Sequence, residues 1–231
     1  MYIYGKNVVK ETLQNNINIK NIYLYKNFND NDILNELKKL PLKFNYLEKY
    51  EMDKMISGLH QGIILEIDDF NYNDISEVID KQLVVILDHI EDPHNFGAII
   101  RTCEAAGVDA IIIPKDRACE VNSTVIKVST GSINNIKIIR VTNLSQTIDY
   151  LKNNGYWIVG TDMSGTDYRK INYDGKIGII IGNEGKGMRE LIKKKCDFIA
   201  TIPMLGKVNS LNASVATGII VFEAIRGRNG L

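Results

Sequence analysis

Residues 176–188 read Lys-Ile-Gly-Ile-Ile-Ile-Gly-Asn-Glu-Gly-Lys-Gly-Met, and the reading of this stretch decides the fold. Residues 177–181 are apolar and β-branched apart from Gly178, the pattern of a strand buried on both faces. The run breaks at Gly182 into a loop with further glycines at 185 and 187. Glycines at a strand's carboxyl end let the chain turn sharply and let another group approach the backbone closely. In open α/β sheets that end of the strands is where ligands bind. The spacing G-x-x-G-x-G fits neither the dinucleotide fingerprint nor a P-loop. Locally it reads as a tight turn before a helix or as a cofactor loop.

Working outward, strands and helices alternate on both sides. Residues 83–87, 110–113, 136–141, 157–159 and a segment near Ile199 read as strands. Helices are expected from Pro93 to about Ala106, over 121–128, from Asn143 to near Gly155, after Met188, and over 213–224. This alternation predicts an α/β domain with a mostly parallel sheet covered on both faces. The last helix is apolar on nearly every side, so it needs cover from the domain or from a second subunit. Residues 1–67 show a smaller alternation, with strands at 21–25, 43–47 and 62–67 and a helix capped by Asp30 or Asp32 and stopped at Pro41. The polar, acidic stretch between them reads as a linker. The expected organisation is a small α/β domain over 1–68, a linker over 69–82, and the larger domain over 83–231.

Composition narrows the function classes. The chain has 231 residues, 45% hydrophobic and 24% charged, with 28 basic and 28 acidic side chains. A net charge of zero excludes a basic protein that coats nucleic acid, so any RNA contact comes from local patches. The three cysteines (Cys103, Cys119, Cys196) form no CxxC motif and no disulfide framework, which points to reduced thiols and a cytoplasmic setting. No apolar run is long enough for a membrane helix, and the N-terminus lacks a signal peptide's apolar core. His60, His89 and His94 lack metal-ligand spacing, and no metal is expected. Ser210 lacks a nucleophile elbow.

Two further stretches carry polar side chains into apolar surroundings. Residues 92–102 read Asp-Pro-His-Asn-Phe-Gly-Ala-Ile-Ile-Arg-Thr, with Asn95 and Arg101 on one predicted helix. Arg101 either lies on the solvated face of that helix or offers a fork-shaped anchor to a phosphate. Residues 202–218 read Ile-Pro-Met-Leu-Gly-Lys-Val-Asn-Ser-Leu-Asn-Ala-Ser-Val-Ala-Thr-Gly, placing small polar residues between a proline turn and the last helix.

Taken together and in this order, Asn95 to Arg101, Ile181 to Met188 and Ile202 to Ala216 resemble the three signature motifs of the SpoU (TrmH) branch of the SPOUT RNA methyltransferases. The resemblance covers about 150 residues, from Leu83 onward. Ile3-Tyr-Gly5, Val8 and His60-Gln-Gly-Ile-Ile64 are similar to the L30e-like substrate-binding domain of members that methylate a guanosine ribose 2′-hydroxyl in 23S rRNA. The tRNA-specific members generally lack that domain, so its presence favours rRNA over tRNA. A non-catalytic RNA-binding adaptor is the remaining alternative.

The resemblance implies S-adenosylmethionine bound in a C-terminal trefoil knot, RNA as the substrate, and a homodimer with the last helix between subunits. It implies that Gly182, Ile202 and Leu211 hold the cofactor, largely through backbone groups, and that Thr161, Asn183 and Met204 line the same pocket. Arg101 matches the family's invariant arginine, for which the resemblance implies the role of activating base; a guanidinium is a poor proton acceptor, so phosphate anchoring and stabilisation of the developing alkoxide are the expected role, with the proton acceptor left open. Asn95, Glu184, Ser210 and Asn212 would orient the ribose, Arg101 and the methionine moiety.

Overall fold

The computed structural model describes residues 1–14, 18–183, 185, 187–208 and 210–229. Two compact units emerge, one of Met1–Asn71 with Val121–Gly131, the other of Tyr72–Glu120 with Ser132–Leu231.

In the first unit the order is β1 (Tyr2–Tyr4), α1 (Lys6–Gln14), β2 (Ile19–Tyr25), α2 (Asn31–Leu37), β3 (Phe44–Leu47), α3 (Lys49–Met55) and β4 (Ile63–Ile67). The sheet runs β1-β4-β2-β3, with β2 and β3 parallel and both β1 and β2 antiparallel to β4. Alternate strand residues Ile3, Ile22, Leu24, Ile63 and Leu65 meet Val9, Ile33 and Leu37 of the helices in one fully buried core. Asp30 caps α2 by accepting from the Ile33 amide, one of the two residues expected to do so. The helix α3 lies outside the expected elements. Its entry is marked by Glu51, whose carboxylate accepts from the Glu48 amide at 2.7 Å, and its apolar anchor is the single buried Met52. His60 is structural: its Nδ1 accepts from the Gly62 amide at 2.9 Å, so Nε2 donates to Asp53 at 3.1 Å. This braces the left-handed pair Gln61 and Gly62 ahead of β4.

The second unit continues with β5 (Leu83–Asp88), α4 (Pro93–Ala105) and β6 (Ala110–Pro114). Next comes α5 (Ser123–Ser129), whose segment belongs to the first unit, where Ile126 packs against the core. The chain returns through β7 (Lys137–Val141), α6 (Leu144–Asn153), β8 (Tyr156–Asp167), β9 (Lys176–Gly182), α7 (Glu190–Lys193), β10 (Phe198–Thr201) and α8 (Ala213–Asn229). Six strands in the order β10-β8-β9-β5-β6-β7 form an all-parallel sheet. Val84, Ile86, Ile112, Ile158 and Ile180 are buried in one cluster with Ile148 and Leu151 of α6. The central pair, β5 and β9, runs in register from Leu83 opposite Ile177 to Asp88 opposite Gly182.

Helix α4 starts as its sequence dictates. Asp92 accepts from the His94 amide, Pro93 occupies the first turn, and Gly107 follows the helix in the left-handed conformation. Strand β8 is longer than the expected 157–159. Its outer half is polar and exposed, so it shows no apolar alternation, and it is held by pairing to β10 at residues 166–167. Before β5, residues 74–78 are ordered by reciprocal capping of Asp74 and Glu77, and Val78 enters the core. After β10, at the sheet's edge, the chain returns so that α8 packs on α4 and β9. Helix α8 buries Ala213, Thr217, Ile220, Val221 and Ala224 but leaves Val215 and Phe222 half exposed.

Tyr156 ties the start of β8 to this region. Its buried hydroxyl lies 2.7 Å from the Val78 carbonyl and 3.0 Å from that of Lys81. Burial raises its pKa, so it donates as a neutral phenol. Tyr156→Phe leaves those carbonyls short of a donor and is expected to cost about 1–2 kcal/mol in urea unfolding with an unchanged m-value.

Candidate active site

The carboxyl ends of β8, β9 and β10 open into a cavity of about 730 Å³. Its walls come from Thr161 to Met163, from the loop after β9, and from the stretch between β10 and α8. Thr161, Gly182, Asn183, Ile202, Met204 and Leu211, six residues far apart in sequence, all line it, and Ser210 joins them. The sequence pattern placed a glycine loop at a strand end; the sheet order brings the second stretch against it.

Each wall has a local cause. Gly182 is required by crowding, since a Cβ there would lie 2.5 Å from the Met188 nitrogen and 2.6 Å from the Gly187 carbonyl carbon. The loop closes on itself: Asn183 and Gly187 exchange backbone hydrogen bonds of 3.1 and 2.8 Å, and Gly187 sits at φ 66°. Asn183 Oδ1 accepts from the Gly185 amide at 3.0 Å, while its Nδ2 donates to the His89 carbonyl at 2.8 Å. Thr161 is locked by its hydroxyl, which donates to the Ile180 carbonyl at 2.9 Å. Beneath the cavity, a Cβ on Gly160 would come within 2.6 Å of Cys196 Sγ and 2.7 Å of Met188 Cε. Burial pushes the Cys196 thiol up to about 12, which makes it packing rather than a nucleophile.

Two cavity-lining charges, Asp162 and Lys207, lie outside the expected site residues. Burial acts to raise the Asp162 carboxyl, but hydrogen bonds from the Ser164 amide and hydroxyl, with Lys193, hold it below the usual carboxylate range. Asp88 and His89 also lie outside the expected site residues, His89 entering the sequence reading only as a histidine without metal-ligand spacing. The Asp88 carboxylate is fully buried and is bonded by Arg189 and His89. His89 holds φ 65°, a conformation that costs a non-glycine residue on the order of 1 kcal/mol. A carboxylate ending the apolar run of 83–87 was the available signal for Asp88; nothing in the residues announced the turn at His89.

Asn95 of the first motif and Asn212 of the third meet away from the cavity lining. Asn212 caps α8, its Oδ1 accepting from the Ser214 amide at 2.9 Å and the Ser214 hydroxyl at 2.6 Å. Its Nδ2 donates to Asn95 Oδ1 of α4 at 2.9 Å, so one side chain joins the two helices. Asn95 is buried, and Arg101 stands exposed farther along α4, with no hydrogen bond or ion pair among the described residues. Glu184 lies outside the described residues, as do its loop neighbour Lys186 and Asn209.

The cavity's size matches that of small-molecule and cofactor sites. Gly187 and Gly206 line it, and a Cβ at either would meet nothing within 4 Å. Backbone therefore borders open space there, and a nucleoside-sized group with polar edges fits this lining.

Comparison with known proteins bears directly on the chain. Residues 82–222 match the SpoU rRNA Methylase family, and residues 2–73 match the model for RNA 2′-O ribose methyltransferase substrate binding. A protein of Staphylococcus epidermidis, named for the TrmH family of tRNA/rRNA methyltransferases, is 44% identical over 99% of this chain and 96% of its own. The SpoU methyltransferase AviRb of Streptomyces viridochromogenes, solved in complex with AdoMet, shares the fold at a TM-score of 0.78 and 22% identity, covering 100% of this chain and 91% of that one. An AdoMet-bound rRNA methyltransferase of Sinorhizobium meliloti gives a TM-score of 0.74 at 26% identity, over 97% and 86% of the two chains. With both its parts and its whole length matched in this way, the chain belongs to the SpoU (TrmH) family of RNA methyltransferases.

Proposed function

We propose that this chain transfers a methyl group from S-adenosylmethionine to a ribose 2′-hydroxyl, that of a guanosine in 23S rRNA. The observation that carries this reading is the cavity in which two stretches some twenty residues apart in sequence, the loop after β9 and the approach to α8, face one another. Gly182, Asn183, Ile202 and Leu211 would hold the cofactor there, with Thr161 and Met204 completing the pocket. When bound, the cofactor supplies a methyl group on a sulfonium centre, whose departure as a neutral thioether suits a weak oxygen nucleophile.

The chain's own contribution is placement and charge. Holding the reacting groups in line replaces a bimolecular search and is worth several kcal/mol, about 7–11 in the best cases. Arg101 is built for a phosphodiester: its guanidinium is exposed and uncommitted among the described residues, and its fork can make paired hydrogen bonds to phosphate oxygens. A guanidinium is a poor proton acceptor, so it acts here as a constant positive charge beside the developing alkoxide. Asn95 and Asn212 set the spacing of α4 and α8 through their shared hydrogen bond. Ser210, on the cavity rim, and Glu184 complete the proposed polar set.

The first unit favours rRNA in this reading, because it matches a substrate-binding model and tRNA-specific members of the family generally lack such a domain. The relative's name covers both tRNA and rRNA, so tRNA is the second reading. The half-exposed Val215 and Phe222 of α8 support a homodimer in which a second copy covers that stripe. The reading places the enzyme in the cytoplasm, with its RNA; among the described residues no helix is long and apolar enough to cross a membrane.

Gly182→Ala is expected to weaken binding of S-adenosylhomocysteine by about 5- to 150-fold by calorimetry, because overpacking of the loop that borders the pocket costs about 1–3 kcal/mol. Arg101→Ala is expected to bind that ligand as wild type does and to lose roughly a hundredfold or more in methyl transfer, the scale of one lost charge-stabilising donor. Radiolabelled S-adenosylmethionine offered with unmodified 23S rRNA and unmodified bulk tRNA, side by side, decides the target. Label recovered in an alkali-resistant dinucleotide from rRNA is the expected result. Label in tRNA alone would transfer the assignment to the second reading, and no binding of the cofactor would sink both.

A further inference from the structure

The loop after β9 is held at both of its ends by two consecutive residues, the last of β5 and the one just beyond it. At the first end, Asn183 Nδ2 donates to the His89 carbonyl at 2.8 Å. At the far end, Asp88 takes the Arg189 amide on Oδ2 at 2.8 Å and the Arg189 Nε on Oδ1 at 2.9 Å. The His89 ring contributes a third contact, Nδ1 to Asp88 Oδ1 at 2.7 Å. The carboxylate is 0% exposed, whereas the Arg189 side chain is 44% exposed. A buried carboxylate is retained at such a position only with its hydrogen-bonding capacity met, and here most of that capacity is met by the end of this loop.

The placement matters because of what the held segment borders. Gly182, Asn183, Gly185 and Gly187 all line the cavity, and Arg189 immediately precedes α7. Helix α7 has four residues and Arg189, at its start, makes no side-chain cap, so the loop has little helix to lean on. On the other side of the brace, residues 88–89 lead directly to the Asp92 cap and to α4. His89 adopts its left-handed backbone where its carbonyl meets Asn183.

We propose that Asp88, through Arg189 and with the neighbouring His89 carbonyl, is the positioning residue that sets the shape of the cofactor loop and thereby the affinity for S-adenosylmethionine. This rests on the methyltransferase reading above. Asp88 touches neither the cavity nor the reacting atoms; it acts through the loop. Loss of the brace leaves the loop's contacts available but unpopulated for part of the time, so apparent affinity falls by the competent fraction while the bound enzyme turns over as before.

The test uses the full chain as wild type, Arg189→Met, Asp88→Asn and the double variant. Calorimetry with S-adenosylhomocysteine gives affinity, steady-state transfer to the RNA that wild type methylates separates KM for the cofactor from kcat, and thermal unfolding confirms that each variant is folded. Arg189→Met is expected to raise both the ligand Kd and the cofactor KM about tenfold with kcat at saturation within about twofold. The double variant is expected to bind no more weakly than Asp88→Asn alone, because the two residues act as one unit. Should Asp88→Asn fail to fold, Arg189→Met decides, its side chain being half exposed. A folded Arg189→Met protein with wild-type Kd and KM, or one that loses kcat at unchanged KM, overturns the proposal and leaves the buried pair a purely structural one. Failure of wild type itself to bind the ligand overturns the methyltransferase reading instead, and the proposal with it.

Discussion

The central pair of strands, β5 and β9, ends with a carboxylate facing a glycine: Asp88 stands in register with Gly182. That contact constrains both sides of the site. Without a Cβ at 182, the loop can fold back until Gly187 and Met188 lie against the strand end. With a buried acceptor at 88, the backbone leaving that loop has a partner that water cannot replace. The adjacent strands then fall into place around this pair, β8 packing close because Gly160 leaves room for Met188 and Cys196.

The parallel strands supply the rest of the geometry. Their carboxyl ends converge, so loops distant in sequence share one edge, the general reason such sheets bind ligands there. The return of the chain from the edge strand β10 to α8 brings Ser210 and Leu211 to the same edge as Gly182. Asn212 then serves two functions at once: its oxygen caps the start of α8 and its amide reaches Asn95. A polar side chain with both a donor and an acceptor is what that junction needs, and a carboxylate or an aliphatic residue would leave one half unmet.

Much of this was readable from the chain because burial leaves a simple trace. The runs at 83–87, 110–113 and 177–181 are short, apolar on both faces and rich in β-branched residues, as inner strands of a parallel sheet are, and the Asp92-Pro93 start of α4 carries its own chemistry. The six cavity residues entered through family resemblance, and only the folded chain brought them to one surface. The unreadable parts have physical causes. Residues 163–166 of β8 are exposed, and the strand's end is held by pairing to β10 at 166–167, so no periodicity marks them. Helix α3 contributes one buried side chain, Met52, too few to make a stripe. The left-handed turn at His89 follows from contacts made by residues 88 and 183, almost a hundred positions apart. The acidic stretch that reads as a linker spends Asp74 and Glu77 on capping each other, so its polarity conceals local order.

Residues 121–131 belong with the first unit although they lie between β6 and β7 of the second. Order along the gene and order in space therefore disagree at this point. A descendant that discarded the first 71 residues would inherit α5 with Ile126 stripped of the first-unit side chains it packs against. Modular loss of the first unit is thus not a clean deletion for this chain. It would demand compensating changes at a second place in the gene, which ties the inheritance of the two units together more tightly than their separate cores imply.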